Sequence, residues 1–220
     1  MKRTIGFYFD YVSPYAYLAS TQIRAIAERN GAEVEAVPVL FAAMLASTGS
    51  RGPAEIPVRR DYMVRDVIRL ARFLEVPIAP PATHPFNPLA ALRFTHAVED
   101  AADRWRLIEA LFRAAWVQGR RIDDPRVVAA IAMDEGLAAD ALAARATSDD
   151  VKTRLRGVTD AAIAQGAFGV PTMIVEGELF WGVDSLHLLE RYLTGQDLPD
   201  PTELSRWRAI EPSAVRRVVG

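Results

Sequence analysis

The chain has 220 residues and 24.2 kDa, half of them hydrophobic and a quarter charged. That length and balance suit a soluble globular protein with a sizeable core and exclude a disordered chain, a collagen-like fibre and a membrane span, since no apolar run nears the roughly 18–20 residues a bilayer requires. The formal net charge of −2 supplies no overall pull toward nucleic acid or anionic lipid.

There are 24 arginines against two lysines, Lys2 and Lys152, in an alanine-rich chain, a bias that reads as genomic base composition. Cysteine is absent. Disulfides, iron–sulfur clusters, zinc–thiolate sites and every mechanism that uses a protein thiol are thereby excluded. The start, Met1-Lys2-Arg3 followed directly by Thr4-Ile5-Gly6-Phe7-Tyr8-Phe9, shows neither an apolar signal core nor a small-residue cleavage site, so a cytoplasmic protein is expected.

Residues 4–9 are rich in β-branched and aromatic types and read as a strand. A helix to about Asn30 follows, with Ser13 at a preferred N-cap position, Pro14 at the first helical position and Gly31 at its end. Glu33 to Val39 alternates acidic and apolar residues as a second strand, so the opening is a parallel βαβ unit. Gly49, Gly52, Pro53 and Pro57 mark residues 45–60 as a loop. Over 61–75, Val64, Val67, Ile68, Ala71 and Leu74 oppose Arg65, Arg69 and Arg72 in one amphipathic helix. A proline-dense segment runs from Pro77 to Pro88, and helical periodicity returns over roughly 88–118, 125–147 and 149–166.

Trp105, Ile108, Leu111, Phe112 and Trp116 share one helix face and are expected in the core. Thr172–Val175 and Leu179–Trp181 flank Glu176-Gly177-Glu178 as a hairpin, and a last helix spans about Asp184 to Leu193, with Gly195 at its end. A lone hairpin is marginal in water, so this one is expected to join the N-terminal sheet. The fold class is α/β: one sheet domain interrupted by a helical insertion. The expected division is 1–42 plus 167–200 for the sheet domain, 43–166 for the insertion and 201–220 for a tail, including Trp207, Arg216 and Arg217, to which no role is assigned.

No Gly-x-Gly-x-x-Gly, Walker A, His-Glu-x-x-His or Gly-x-Ser-x-Gly motif is present, and His84, His96 and His187 are too widely spaced for a helical metal site, so no metal is expected. Three junctions stand out. Ser13-Pro14-Tyr15-Ala16 puts a hydroxyl at a helix N-terminus, where first-turn amides and the helix dipole favour an anion; taken alone, the motif reads first as an N-cap. Gly169-Val170-Pro171-Thr172 is either a plain strand entry or a cis-proline turn whose Val170 main chain pairs with an extended ligand. Trp181-Gly182-Val183-Asp184 offers Asp184 either as an N-cap or as a carboxylate for a ligand ammonium. All three are expected to converge at one edge of the sheet.

At these residues the sequence resembles a known family. Phe7 to Ala19, with Ser13-Pro14-Tyr15 at its centre, and Phe168-Gly169-Val170-Pro171-Thr172 with Phe180-Trp181-Gly182-Val183-Asp184, resemble the two signatures of the 2-hydroxychromene-2-carboxylate isomerases, relatives of the kappa-class glutathione transferases in the DsbA-like branch of the thioredoxin fold. Trp116-Val117-Gln118-Gly119 and Asp61 to Asp66 resemble weaker family segments between them. The resemblance spans about residues 3–195 and implies a thioredoxin-like fold (DsbA/kappa type) with an inserted all-helical domain. It further implies a homodimer, glutathione as cofactor and a small aromatic carboxylate as substrate, in the catabolism of aromatic compounds.

In redox members of the superfamily a Cys-x-x-Cys motif stands where Ser13 to Ala16 stand here, so a borrowed thiol replaces a resident one. The implied roles are Ser13 as hydrogen-bond donor to the glutathione thiolate, Val170 and Pro171 as partners of its cysteinyl backbone, and Trp181, Gly182, Val183 and Asp184 as holders of its γ-glutamyl end. Arg51, Arg59 or Arg60, with His84 and Asn87, would meet the substrate. The chain departs from the family at Gly49-Ser50, where Gly-Asn is common, at Leu45, which aligns with a substrate-contacting lysine, and at Ser185, where arginine is usual. A kappa-like glutathione transferase or peroxidase is the alternative reading, and a non-catalytic thioredoxin-fold binding module the second.

Overall fold

The computed structural model describes residues 2–197 and 200–214. Met1, residues 198–199 of the domain boundary and the tail arginines Arg216 and Arg217 lie outside the described residues.

A four-stranded mixed sheet organises the chain. Its order is β2 (Glu33–Pro38), β1 (Thr4–Phe9), β3 (Thr172–Val175), β4 (Glu178–Trp181). β1 pairs parallel to β2, with Phe7 opposite Ala36, and antiparallel to β3, with Tyr8 opposite Thr172. Hairpin strands β3 and β4 join it as expected, turning through Glu176 and Gly177, both with positive φ as a two-residue turn of this kind demands. Because side chains alternate across a strand, Ile5, Phe7 and Phe9 of β1 enter one apolar core while Tyr8 enters another on the opposite face with Val37, Met44 and Ile174. Both faces of the sheet are therefore covered.

Helix α1 (Pro14–Arg29) connects β1 to β2, and its buried Ala16, Leu18, Ile23 and Ala27 belong to the first core. Seven helices intervene before β3: α2 (Phe41–Thr48), α3 (Pro57–Phe73), α4 (Leu89–Ala97), α5 (Ala101–Trp116), α6 (Pro125–Asp134), α7 (Ala139–Ala146) and α8 (Asp149–Ala164). The α5 face carrying Trp105, Ile108, Leu111, Phe112 and Trp116 is buried, as expected. It meets β1 through an aromatic cluster in which Phe9 and Tyr11 lie 5.4 Å and 4.8 Å from Phe112, ring centre to ring centre. The Trp116 indole donates to Tyr11 O at 2.9 Å, which pins the segment after β1 to the inserted helices.

Four boundaries differ from the sequence reading. Residues 45–60 are not a continuous loop: α2 reaches Thr48, and α3 begins at Pro57, four residues early. Helix α2 is apolar without periodicity and buries only Met44 fully, and its first amide, Phe41 N, is capped by Asp10 from β1's end, a partner no local pattern discloses. The 88–118 stretch breaks before Asp100, which caps α5 by accepting from Asp103 N. The 125–147 stretch breaks at Gly136, where φ is 75°. Lastly, α9 spans Leu186–Leu193, and Asp184 sits before it in a 3-10 turn, Val183–Ser185. The tail holds α10 (Pro201–Arg208), exposed along its whole length. Among the described residues, no helix is long and apolar enough to cross a membrane.

Candidate active site

The sheet register brings the three sequence motifs together. β1 ends at the same edge where β3 begins and β4 ends, since Tyr8, Thr172 and Trp181 are aligned across the three strands. The segments just beyond them, which carry Ser13, Val170 and Gly182 to Asp184, therefore meet at one sheet edge.

Ser13, 6% exposed, is the N-cap of α1: its Oγ accepts from Ala16 N at 3.1 Å and donates to Val170 O at 3.3 Å. The cap consumes part of the helix end. Pro14 has no amide hydrogen, Ala16 N bonds Ser13 Oγ and Tyr17 N bonds Ser13 O, so the Tyr15 N–H is the first-turn donor left without a partner among the described residues. A polarised N–H beside a hydroxyl held by a long hydrogen bond is a donor pair that can favour an anion.

The Val170–Pro171 peptide bond is cis. The Val170 N–H has no hydrogen-bond partner among the described residues, while its carbonyl holds the Ser13 hydroxyl. Trp181 is 52% exposed and rests on Phe168, ring centres 4.9 Å apart. Its indole covers Gly169 so closely that a Cβ there would lie 2.6 Å from Nε1. Gly182, at φ 91°, lies under the Asp184 carboxylate, which a Cβ would overlap. The cap role open to Asp184 is not taken: Ser185 Oγ donates to Gly182 O at 2.9 Å to close the turn, and the exposed Asp184 carboxylate is free of hydrogen bonds and ion pairs among the described residues.

Two features were not legible. The first is Asp10, 1% exposed, whose carboxylate accepts from Val12 N at 3.1 Å and Phe41 N at 2.9 Å while its main chain holds Ser13 N. Burial raises its pKa to about 7 against the lowering effect of those backbone N–H groups. The carboxylate thus clamps the turn that presents Ser13. The second is a hydrogen bond from Tyr15 Oη to Asp66 Oδ2, 2.9 Å, which ties α1 to α3 at the site. Burial, then Asp66, Tyr62 and Asp184, push the Tyr15 phenol up, so it remains a donor at neutral pH. An acidic residue one turn from Tyr62 and from Leu70 on α3 was the available signal for Asp66.

The residues expected to meet substrate do not all share one surface. His84 Nε2 lies 3.0 Å from Val12 O, one residue before Ser13, and its ring meets Trp116 edge-on at 5.4 Å. Asn87 is exposed and its Oδ1 caps α4 at Leu89 N. Arg51 is exposed and donates to Glu55 O at 3.0 Å. Arg59 and Arg60 lie on the exposed first turn of α3. Among the described residues no cluster of three or more His, Asp or Glu could hold a metal ion.

Comparison with known proteins agrees with this geometry. Residues 4–194 match the model of the DsbA-like thioredoxin domain. A 2-hydroxychromene-2-carboxylate isomerase from Sphingobium xenophagum is 32% identical over 195 residues, 88% of this chain and 99% of that protein. The chain belongs to the 2-hydroxychromene-2-carboxylate isomerase family, within the DsbA-like thioredoxin domains. The solved structure of a 2-hydroxychromene-2-carboxylate isomerase superimposes with a TM-score of 0.80 at 26% identity, covering 94% of this chain and 98% of that one. A glutathione S-transferase kappa 1 from Rattus norvegicus is 26% identical over 90% of this chain and 94% of its own length. The family is thus one of isomerases with glutathione transferases as relatives.

Proposed function

We propose that this protein is a glutathione-dependent isomerase of 2-hydroxychromene-2-carboxylate type, with Ser13 as the residue that activates the thiol. The observation that carries the reading is the pair of donors at the start of α1, the Ser13 hydroxyl and the unpartnered Tyr15 N–H, in a chain without a single cysteine.

The residues present fit glutathione. A free thiol has a pKa of about 8.5 and is mostly protonated at neutral pH, and only the thiolate is nucleophilic. Ser13 O–H, Tyr15 N–H and the helix end all favour the anion, and about 2.7 kcal/mol from them lowers a thiol pKa by about two units. Ser13 reaches a sulfur by releasing Val170 O, a bond at the long end of the range for O–H donors. The released carbonyl and the free Val170 N–H then form an acceptor and donor pair that a cysteinyl residue can satisfy as a short added strand. Asp184, unpaired on the rim, takes the γ-glutamyl ammonium, with Trp181 beside it and the Gly182 and Val183 backbone shaping that end.

When bound, glutathione supplies a thiolate that can add to a conjugated substrate and depart again after bond rotation, so that it is not consumed. The protein's own part is to hold that anion at Ser13, to orient both partners and to keep water from the buried side of the site, which Tyr11, Trp116 and Phe112 close. We infer a homodimer and a cytoplasmic location as part of the same reading.

The test is turnover of a 2-hydroxychromene-2-carboxylate with catalytic glutathione, following free thiol throughout. Many turnovers with thiol unchanged support the isomerase. Thiol lost one-for-one with substrate points to the transferase instead, and absence of both turnover and glutathione binding leaves only a binding module.

A further inference from the structure

Helix α3 turns a different face to the protein than its apolar pattern predicts. The sequence groups Val64 and Ile68 with Val67 and Ala71, but the buried stripe is Met63, Val67 and Ala71, and Val64 and Ile68 stand in solvent. Val58 is 77% exposed, Tyr62 62% and Phe73 83%, so α3 carries five of the twelve large apolar side chains most open to water among the described residues.

The same helix has five arginines, Arg59, Arg60, Arg65, Arg69 and Arg72, and none makes a hydrogen bond or ion pair among the described residues. By contrast, Arg24 on α1 pairs with Glu109, Arg113 on α5 with Glu135 and Arg145 on α7 with Glu99. At about 100° per residue, Arg65, Arg69 and Arg72 form a crest opposite the buried stripe, with Tyr62 and Phe73 along one shoulder and Val64 and Ile68 along the other. Of the two acids on α3, Asp66 is held by Tyr15, which leaves Asp61 alone to offset the crest.

We propose that the outer face of α3 docks the protein onto an anionic lipid surface, guanidinium crest on the headgroup phosphates and apolar shoulders at the acyl boundary. Charge complementarity calls for a negative partner. A second copy meeting this face across a twofold axis would set crest against crest, and like charges repel. A nucleic-acid backbone takes arginines but leaves the apolar shoulders unused, and α3 offers it no Lys, Ser, Thr, Asn or Gln. A partner helix needs a groove, and a helix crest is convex. A lipid surface is flat and takes both the charge and the apolar side chains. The net charge of −2 adds no overall pull, so the attraction is local to this helix and fades beyond about 10 Å at 0.1 M salt. The Tyr15–Asp66 bond holds α3 beside the first turn of α1, so the lipid lies about one helix width, roughly 10 Å, from that turn.

The experiment floats the intact protein with vesicles of phosphatidylcholine, either alone or with about one third phosphatidylglycerol, at about 0.1 M and about 1 M salt. Wild type should rise with the anionic vesicles at the lower salt and stay behind in the other conditions. The crest variant, Arg65→Gln with Arg69→Gln and Arg72→Gln, should bind about 100-fold more weakly, at about fivefold for each arginine. Ile68→Ser with Phe73→Ser should cost about tenfold while leaving the charge unchanged. Equal charge removed elsewhere, by Arg106→Gln, Arg156→Gln and Arg191→Gln, should change binding less than about twofold. All these side chains are exposed, so unfolding midpoints should match wild type. Equal binding to neutral and anionic vesicles, full binding by the crest variant, or no binding by wild type overturns the assignment. So does a concentration-dependent dimer abolished by the Ile68 and Phe73 substitutions, which makes the face a contact between copies. Duplex DNA binding that survives those two substitutions and is lost with the crest overturns it as well. None of these outcomes depends on glutathione or on turnover.

Discussion

Ser13→Ala separates thiol activation from helix capping. The substitution removes the hydroxyl that donates to Val170 O and accepts from Ala16 N. A hydrogen bond to a charged group contributes about 1.5–3 kcal/mol, so the bound glutathione thiol should titrate about one to two units higher than in wild type. It should not return fully to its free value, because Tyr15 N–H and the helix end remain. Loss of the N-cap costs about 1 kcal/mol of stability on its own. Ser13→Asp resolves the two effects: a carboxylate still caps Ala16 N, but it offers no hydroxyl hydrogen and repels a thiolate. The ultraviolet thiolate band, titrated against pH in the presence of glutathione, is the assay, with urea unfolding beside it. The expected pattern is a weakened band in Ser13→Ala and a lost band in Ser13→Asp, with Ser13→Ala losing the cap and both variants losing the bond to Val170 O. A thiol pKa unchanged in Ser13→Ala would refute the activation argument and reduce Ser13 to a cap.

Gly182→Ala forces a side chain into a left-handed conformation and against the Asp184 carboxylate; calorimetry should show glutathione binding about tenfold weaker, the equivalent of about 1.4 kcal/mol. Tyr15→Phe leaves the half-buried Asp66 carboxylate without its phenol donor and should cost about 1–3 kcal/mol, read as a fall in Tm, with no loss if the α1–α3 tie is dispensable. In Asp10→Asn one of the two backbone N–H groups faces an amide NH₂ and loses its acceptor, for a deficit of about 1–3 kcal/mol near pH 4–5. Because the native Asp10 pKa, about 7, lies above its unfolded value of 3.8, stability from this carboxyl is full below the unfolded value and is lost as pH rises through 7. The deficit of the variant should therefore shrink across that window, by at most about 1.4 kcal/mol per pH unit; urea titrations of both proteins at several pH values measure it, and a deficit that grows with pH contradicts the argument.

Legibility in the sequence followed the range of the interaction. Ser13 followed by Pro14 is a local signal, and α1 starts where it says. The hairpin turn is local too, and so is the α5 stripe from Trp105 to Trp116, whose period matches its buried face. The convergence of Ser13, Val170 and Asp184 needed only the expectation that the hairpin joins the first sheet. Long-range side-chain contacts were illegible. Helix α2 has no amphipathic period and takes its cap from Asp10, 31 residues away, and the Tyr15–Asp66 tie spans 51. Asn87 and Arg51 had plausible residue types but were drawn into caps and turns by their immediate neighbours, Leu89 and Glu55, a competition that residue type alone does not reveal.

On the glutathione reading, the absence of cysteine gives the buried side chains around Ser13 a different task from the one they would have beside a redox pair. A resident thiolate would be placed by its covalent bond to the chain, and the surroundings would only tune it. A borrowed thiolate must be placed by donors alone, so the donors themselves must be fixed. Ser13 is fixed from every side: its N–H by Asp10 O, its hydroxyl by Ala16 N and Val170 O, and the carbonyl before it by His84. Asp10 and Trp116 anchor the same turn from beneath, through Val12 N and Tyr11 O. This many restraints on a five-residue turn exceed what a helix cap requires. On the glutathione reading they hold the turn, so that only the Ser13 hydroxyl reorients on binding, exchanging Val170 O for the thiolate, and little of the attraction is lost in reorganisation.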